Sequence, residues 1–268
     1  MRKNAWVICC CTAVLAAFGT FFRWLQDQVC FEAETGLAVR GSIWPYAVAL
    51  MIVIAAVVLA VVCFRMKNQP HTSFPDSLPA AFAAAQRVRT IGGIVLGALL
   101  AVGGAWLMIS SGTLSSPGLQ RVLAVLAIVT GAAFARQMLA PSDAEATSGA
   151  VVCASMPIVL LAFWLIVSYK VNIINPTISA YAVEILALCA ALIAFYQLAG
   201  FAYGRPKAIK SIFWSQFAAF LCITALPDDR AGAQQLMLAA IAGILVFQSY
   251  LTASNIRPAV SGPVGGAQ

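Results

Sequence analysis

The chain has 268 residues, of which 62% are hydrophobic and only 9% are charged, and its formal net charge is +7. Soluble domains carry about 25% charged residues because their surface has to be polar, so this composition excludes a water-soluble globule and indicates that lipid surrounds most of the surface. The basic residues lie in gaps between apolar runs rather than in one stripe, which argues against nucleic-acid binding.

Long apolar runs follow one another along the chain, and crossing the hydrocarbon core of a bilayer takes about 20 such residues. Met1–Lys3 precedes the first run, whose apolar residues continue past any small-residue cleavage point, so we expect an uncleaved anchor rather than a signal peptide. Eight runs qualify as transmembrane helices: Ala5–Phe22, Ile43–Phe64, Ile91–Ser111, Val122–Leu139, Ala150–Tyr169, Ala180–Tyr203, Ile212–Leu226 and Leu236–Ala253. The seventh run is the shortest and contains Ser215, Gln216 and Thr224, so seven spans is the alternative count.

Lysine and arginine residues are distributed unevenly between the two sides that these spans separate. With the N-terminus inside, 11 basic residues fall on the inner side and 5 on the outer side. The positive-inside rule therefore predicts that both termini are cytoplasmic and that the protein lies in the cell membrane. The sequence predicts an all-α, polytopic transmembrane helix bundle that forms a single domain over residues 1–254.

The longest inner connection is Arg65–Thr90. Its first half is rich in proline, and Ser77 is a suitable N-cap for a helix over Leu78–Arg89. We expect this helix to run directly into the third span, with a separate interfacial helix as the alternative. The segment Asn255–Gln268 is rich in glycine and proline and has one charge, which predicts a disordered tail.

Glu184 is the only acidic residue within a predicted span. An ionisable group in hydrocarbon usually faces the bundle interior, a cavity or a partner, so Glu184 is a candidate for binding a cation or carrying a proton during transport. It lies near the start of its predicted helix. The alternative is therefore a side chain that reaches the outer headgroups or pairs with Lys170 in the preceding loop.

Three uncharged polar side chains, Gln197, Gln216 and Gln248, lie in three different late spans. Together with Glu184 they form a candidate substrate or ion pathway. The alternative is that they hydrogen-bond between helices, which is the commoner role for such residues in membranes.

Residues suited to catalysis or metal binding are scarce. The single histidine, His71, stands alone in a proline-rich loop, so neither a zinc motif nor a Ser/His/Asp triad is available. Seven of the eight cysteines lie in apolar runs, where cysteine behaves as a small hydrophobe. Since there is also no P-loop, the sequence predicts neither an enzyme nor a bound metal or cofactor.

The segment that follows the first predicted span carries two short motifs. Phe22–Gln26 reads FRWLQ and Phe31–Leu37 reads FEAETGL. These motifs resemble a group of uncharacterised multi-pass bacterial membrane proteins that open with one span, an Arg-Trp edge and a Phe-Asp-x-x-Thr-Gly-Leu loop. Glu32 stands where that pattern has aspartate, and the resemblance extends to about residue 65. It implies a multi-pass membrane protein and carries over no activity.

Glu32, Glu34, Thr35 and Gly36 are the candidate functional residues of this first outer loop. The two carboxylates and the threonine hydroxyl are suited to an outward-facing lip for a cation or substrate. The alternative is that Thr35–Gly36 makes a tight turn with a positive φ at Gly36, which folds the loop over the bundle.

Two hypotheses of function follow. The first is a small-molecule or ion transporter, or a permease-like subunit, that uses Glu184 and the late spans. The second is a non-catalytic membrane scaffold or accessory subunit that docks a partner protein through the inner loop 65–90. The lipid bilayer is the expected environment in both cases, and a homo-oligomer is compatible with either hypothesis.

Overall fold

The computed structural model describes residues 2–30, 42–68, 72–83, 86–114, 116–139, 148–173 and 178–258. Helices dominate this part of the chain: α1 (Arg2–Val29), α2 (Trp44–Lys67), α3 (Leu78–Ala81), α4 (Gln86–Ser110), α5 (Pro117–Leu139), α6 (Ser148–Asn172), α7 (Ile178–Ala202), α8 (Ala208–Thr224) and α9 (Gly232–Ser254). A 3₁₀ turn, Ser111–Thr113, follows α4. Two two-residue strands, β1 (Thr72–Ser73) and β2 (Arg257–Pro258), pair antiparallel.

Seven helices in the described residues are long and apolar enough to cross a membrane, namely α1, α2, α4, α5, α6, α7 and α9. The mean hydropathy of their best windows lies between 1.8 and 3.2. The prediction of a multi-pass, all-helical membrane protein is thereby confirmed. The seventh predicted span, Ile212–Leu226, corresponds to α8, which is also apolar but has only 17 residues and is shorter than these seven helices.

Contacts between helix ends show which way the helices run. Trp6 near the start of α1 packs edge-on against Tyr250 near the end of α9, with ring centroids 5.6 Å apart. Thr20, further along α1, donates a hydrogen bond of 3.1 Å to the carbonyl of Ile223 at the end of α8. Hence α8 runs parallel to α1, and α9 antiparallel. We call the end of the bundle that holds Trp6 and Tyr250 the basal end, and the opposite end the distal end.

α8 lies at the centre of the bundle. It packs against α1, α2, α7 and α9, and most of its residues are buried, including Ser215, Gln216 and Leu221. In contrast, only 28% of the apolar window of α1 and of α2 is buried, against 67% for α9. Among the seven long helices α1 and α2 are therefore the least buried, while α8 is surrounded by other helices.

The closest helix pair is α4 with α5, and glycines make the approach possible. A Cβ on Gly97 would lie 2.5 Å from the carbonyl oxygen of Gly131 and 3.1 Å from Cβ of Ala135. A Cβ on Gly93 would overlap the side chain of Met138. The Gly93/Gly97 pair has the GxxxG spacing that lets membrane helices pack with their backbones in contact, and both residues are used in this way.

The basal end is closed by the connection between α2 and α4. Ser77 caps α3, its hydroxyl accepting a hydrogen bond of 3.4 Å from the amide of Ala80. The predicted continuous helix from Leu78 into the third span is wrong, because α3 ends at Ala81 and α4 begins at Gln86. The physical reason is that Phe82 turns into the core, where it is 3% exposed.

The last described residues hold this connection in place. The side-chain amide of Asn255 donates to the carbonyl of Ala81 at 2.8 Å, and Arg257–Pro258 pairs with Thr72–Ser73. Residues 255–258, which we predicted as the start of a disordered tail, are thus tied to the α2–α4 connection. Residues 259–268 lie outside the described part of the chain.

Replacing Gly97 by leucine should destabilise the bundle, because the added side chain has to displace the backbone of α5. Overpacking of this kind lowers the free energy of unfolding by roughly 1–3 kcal/mol. The matched control is Gly118→Leu, since a Cβ at Gly118 meets nothing within 4 Å. Thermal unfolding of the purified protein in detergent measures both. Equal melting temperatures for the two variants would contradict the close α4–α5 contact.

Candidate functional site

Five charged side chains come together at the distal end of the bundle, and we call them the distal charge cluster. Arg23 and Asp27 lie on α1, Glu184 on α7, and Asp228 and Arg230 in the connection between α8 and α9. Arg23 is 1% exposed and Asp228 and Arg230 are each 6% exposed, with Glu184 at 12% and Asp27 at 24%. The cluster is therefore largely withdrawn from solvent, although it lies at a helix end.

Arg23 is the most deeply buried member. Its Nε donates to Oδ1 of Asp228 at 2.6 Å, and its Nη1 donates to Oε1 of Gln26 at 2.9 Å. Asp27 lies 3.8 Å from the same guanidinium. Because residues three and four apart share a helix face, Gln26 and Asp27 can both reach Arg23. The predicted first span ended at Phe22, whereas α1 continues to Val29 and carries these residues in helical geometry.

Asp228 is the shared partner of both arginines. Its Oδ1 accepts from Arg23, and its Oδ2 accepts from Nη2 of Arg230 at 2.7 Å. The connection that carries it is held to α9 by Gln235, whose amide donates to the carbonyls of Leu226 and Asp228 at 3.3 Å each. One carboxylate thus joins the end of α1 to the α8–α9 connection through charge-assisted hydrogen bonds, which are the stronger kind.

Glu184 joins the cluster through Arg230. Its Oε2 lies 3.6 Å from Nη2 of Arg230. The interpretation that Glu184 pairs with Lys170 is wrong, since its cationic partner is Arg230. The carboxylate faces the bundle.

The cluster is not electrically balanced within the described residues. When all five groups are ionised, Asp27, Glu184 and Asp228 contribute three negative charges and Arg23 and Arg230 two positive ones. Three of its buried polar atoms also have no hydrogen-bond partner in the described structure: Oδ2 of Asp27, and Nε and Nη1 of Arg230. Unpaired buried polar atoms are costly and few in native proteins, so the cluster has unused capacity to bind a polar group.

A second polar cluster lies in the interior, around Gln216. Its Nε2 donates to the hydroxyl of Ser249 on α9 and to Sγ of Cys9 on α1, the latter at 3.4 Å. Oε1 of Gln216 and Oε1 of Gln248 are buried and have no partner in the described structure. Gln216 therefore links the central helix α8 to two neighbours, as interhelical hydrogen bonds do in membranes.

The predicted pathway residues fall into separate places. No hydrogen bond in the described structure joins Gln197, which is half-buried on α7, to Gln216 or Gln248. Glu184 lies in the distal charge cluster rather than with the glutamines. The outer-loop candidates Glu32, Glu34, Thr35 and Gly36 lie outside the described residues.

Sequence reasoning missed four of the five members of the distal charge cluster. Arg23, Asp27, Asp228 and Arg230 each fall beyond a predicted span, on the outer side, and the sequence analysis assigned them no role. Two signals point to them in retrospect. Arg23 and Asp27 have the i, i+4 spacing of a helical ion pair, and Asp228 and Arg230 lie in a short connection that places both near helix ends.

The chemistry available to the distal charge cluster is ionic rather than nucleophilic. In the part of the chain that the structure describes, no three His, Cys, Asp or Glu residues are placed to hold a metal ion. The carboxylates of the cluster can bind a cation or take up a proton, and carboxylates and guanidiniums can exchange ion-pair partners. Such groups within a membrane bundle commonly mark a substrate or ion path.

Comparison of the chain with protein-family models, with curated proteins and with solved structures gives no significant match. The bundle and its two polar clusters are therefore the basis for inferring a function.

Replacing Asp228 by asparagine should destabilise the protein strongly, because two buried guanidiniums lose their shared carboxylate. Removing one partner of a buried ion pair costs about 3–5 kcal/mol. Asp229→Asn is the matched control, since Asp229 is the neighbouring residue and is exposed. Denaturant or thermal unfolding in detergent compares the two. Equal stability of these variants would show that the Arg23–Asp228–Arg230 contacts do not hold the distal end together.

Proposed function

We propose that this chain is a membrane transporter, or a permease-like membrane subunit, for a small molecule or an ion, and that the distal charge cluster takes part in binding the transported species. In this proposal α8 is an eighth span beside the seven longer ones, and both termini are cytoplasmic by the positive-inside rule. The distal end is then the outer face, where the cluster meets the entering solute.

One observation carries the proposal: an ion network buried at the distal end is left incomplete in the described structure. Two nitrogens of Arg230 and one oxygen of Asp27 are buried without a hydrogen-bond partner. A network that served only to hold helices together would gain free energy by satisfying these atoms. A site that binds a ligand in alternation has to keep polar atoms available.

The net charge of the cluster favours a ligand with a positive charge for the carboxylates, and the two N–H groups of Arg230 that lack a partner in the described structure would bind an acceptor group of the same ligand. With three carboxylates and two guanidiniums, the described members sum to one negative charge when all are ionised. An uncompensated charge in a poorly solvated place is costly. Uptake of a cation or a proton would relieve this cost. Glu184 is the carboxylate that lies furthest from the end of its spanning helix, so we place the uptake there.

The contacts differ in strength in a way that suits exchange. Arg230 lies 2.7 Å from Asp228 but 3.6 Å from Glu184. A cation bound at Glu184 would replace the longer contact and leave Arg230 on Asp228. This replacement would release α7 from the α8–α9 connection, and changes of ion-pair partner between packed elements are one of the ways in which proteins switch between two arrangements.

The accessory-subunit hypothesis is also supported by one observation. The connection between α2 and α4 is ordered against the bundle by the β1–β2 pair and by Asn255, and it presents Phe74, which is 38% exposed. An ordered surface with an exposed aromatic ring suits protein docking. A photocrosslinker at position 74 in native membranes distinguishes the accessory-subunit hypothesis from the transport proposal. The accessory-subunit hypothesis predicts one discrete protein adduct.

The Glu184→Gln variant tests the transport proposal. A ligand that binds the folded protein raises its apparent stability by mass action, by about 2.7 kcal/mol at a concentration of 100 Kd. We expect at least one cation or cationic metabolite to raise the melting temperature of the wild-type protein and not that of Glu184→Gln. The same ligand should enter proteoliposomes that contain the wild-type protein.

Asp76→Asn is the matched control, because it removes the same charge from an exposed residue of the α2–α4 connection. It should respond to the ligand as the wild type does. A ligand that stabilises the wild type and Glu184→Gln equally would show that the cluster is not the binding site. If no ligand shifts the wild type and no solute enters the proteoliposomes, the accessory-subunit hypothesis replaces the transport proposal.

A further inference from the structure

A lateral groove runs along α9, away from the distal charge cluster, and meets the interior polar cluster only at Cys9. Its floor is formed by small residues of α9, namely Ala239, Ala242 and Gly243, and its walls come from α1, α4 and α8. The groove has a volume of about 680 Å³, within the range of roughly 300–1,000 Å³ that is usual for small-molecule sites. Such a depression on the side of a membrane bundle faces hydrocarbon rather than water.

The long axis of the groove follows the axis of α9. Ala239 and Tyr250 both line it, and their separation of 11 positions corresponds to about 16 Å of helical rise. Ile223 of α8 and Leu226 of the α8–α9 connection line its distal part, while Trp6 of α1 lines its basal part. The groove is therefore elongated, as an extended hydrocarbon chain requires.

Polarity increases towards the basal end. The rings of Trp6 and Tyr250 meet there, 5.6 Å apart, and both side chains carry a polar group suited to the headgroup level of a bilayer. Val88 of α4 also lines the groove, and the preceding residue, Arg87, is exposed. Apart from Cys9, the remaining lining side chains are apolar.

The described part of the basal end carries more basic than acidic side chains. Among the side chains that the structure describes there, the exposed acidic residue Asp76 is outnumbered by exposed basic ones: Arg65, Lys67, Arg87, Arg136, Arg205, Lys207 and Lys210. Such a surface attracts anionic lipid headgroups. A groove with an apolar body and a cationic mouth has the polarity of a phospholipid.

We propose that the groove is a binding site for one anionic phospholipid, with an acyl chain lying along α9 and the phosphate beside Arg87. Packing on α9 explains why the chain would be held there rather than elsewhere on the surface. Phe247 leans against Gly92 of α4, where an added Cβ would lie 2.5 Å from the ring, and so forms a wall. Small residues beside this aromatic wall give the groove its depth. The site is independent of the transport proposal, because it requires no solute movement.

The experiment uses the full-length protein in vesicles of phosphatidylcholine and phosphatidylglycerol. The probe is phosphatidylglycerol with a diazirine on one acyl chain, and peptide mass spectrometry locates the adducts after illumination. We expect adducts on Val246 and Phe247 to exceed severalfold those on exposed residues of α2, and unlabelled phosphatidylglycerol to remove the excess. Adducts spread evenly over the lipid-facing helices would overturn the proposal.

Two substitutions test the body of the groove. Ala239→Phe fills it and should reduce the adducts on Val246 and Phe247 severalfold, while Ala105→Phe, on an exposed face of α4, should leave them unchanged. If Ala239→Phe does not fold, Val246→Phe fills the same groove, and its effect is then measured as the loss of adducts on Phe247. Undiminished labelling of Phe247 in a folded, groove-filled variant would overturn the proposal.

The headgroup assignment has its own test. Arg87→Gln should lower the advantage of phosphatidylglycerol over phosphatidylcholine as a competitor for the probe. The matched control is Lys210→Gln, an exposed basic residue at the start of α8 that does not line the groove. The advantage of phosphatidylglycerol over phosphatidylcholine as a competitor is compared between the variants. If this advantage is the same in Arg87→Gln and Lys210→Gln, or is absent in the wild type, the phosphate does not bind beside Arg87.

Discussion

The ion pair between Arg23 and Asp228 joins residues 205 positions apart at a distance of 2.6 Å. Both side chains are buried, so each depends on the other for the solvation that water no longer provides. Asp228 also binds Arg230, which reaches Glu184 on α7. One carboxylate therefore takes part in joining α1, α7 and the α8–α9 connection at the distal end, and a movement that separates these elements has to break or exchange its two contacts.

The helices themselves could be predicted because hydropathy acts locally. Each long apolar run is surrounded by lipid or by other apolar runs, so the backbone has to satisfy its own hydrogen bonds and forms a helix. The ends were harder to place. α1 extends to Val29 rather than Phe22 because the polar residues Arg23, Gln26 and Asp27 remain helical when they bond to one another and to Asp228. Hydropathy alone treats such residues as loop.

The distal charge cluster could not be predicted because it depends on which helix ends meet. Which helix ends meet is decided by the packing of the helices, such as the contact between the glycines of α4 and α5 and the central position of α8. Glu184 could be identified as unusual from its place in an apolar run, but its partner lies 46 positions away in a connection between other helices. The break at Phe82 was missed for a related reason. Helical propensity is a local property of the sequence, whereas the burial of the Phe82 ring depends on the tertiary structure.

The shortness and polarity of α8 have a consequence for how the protein is made. The helix has 17 residues, and Ser215 and Gln216 are buried within it. A segment of this kind enters lipid poorly by itself, because polar side chains are disfavoured in hydrocarbon. By the time it leaves the ribosome, every helix of the bundle except α9 has already been synthesised. If α8 is a span, as we propose, its insertion requires the surface of helices that are already in place, and the central position of the bundle is filled late.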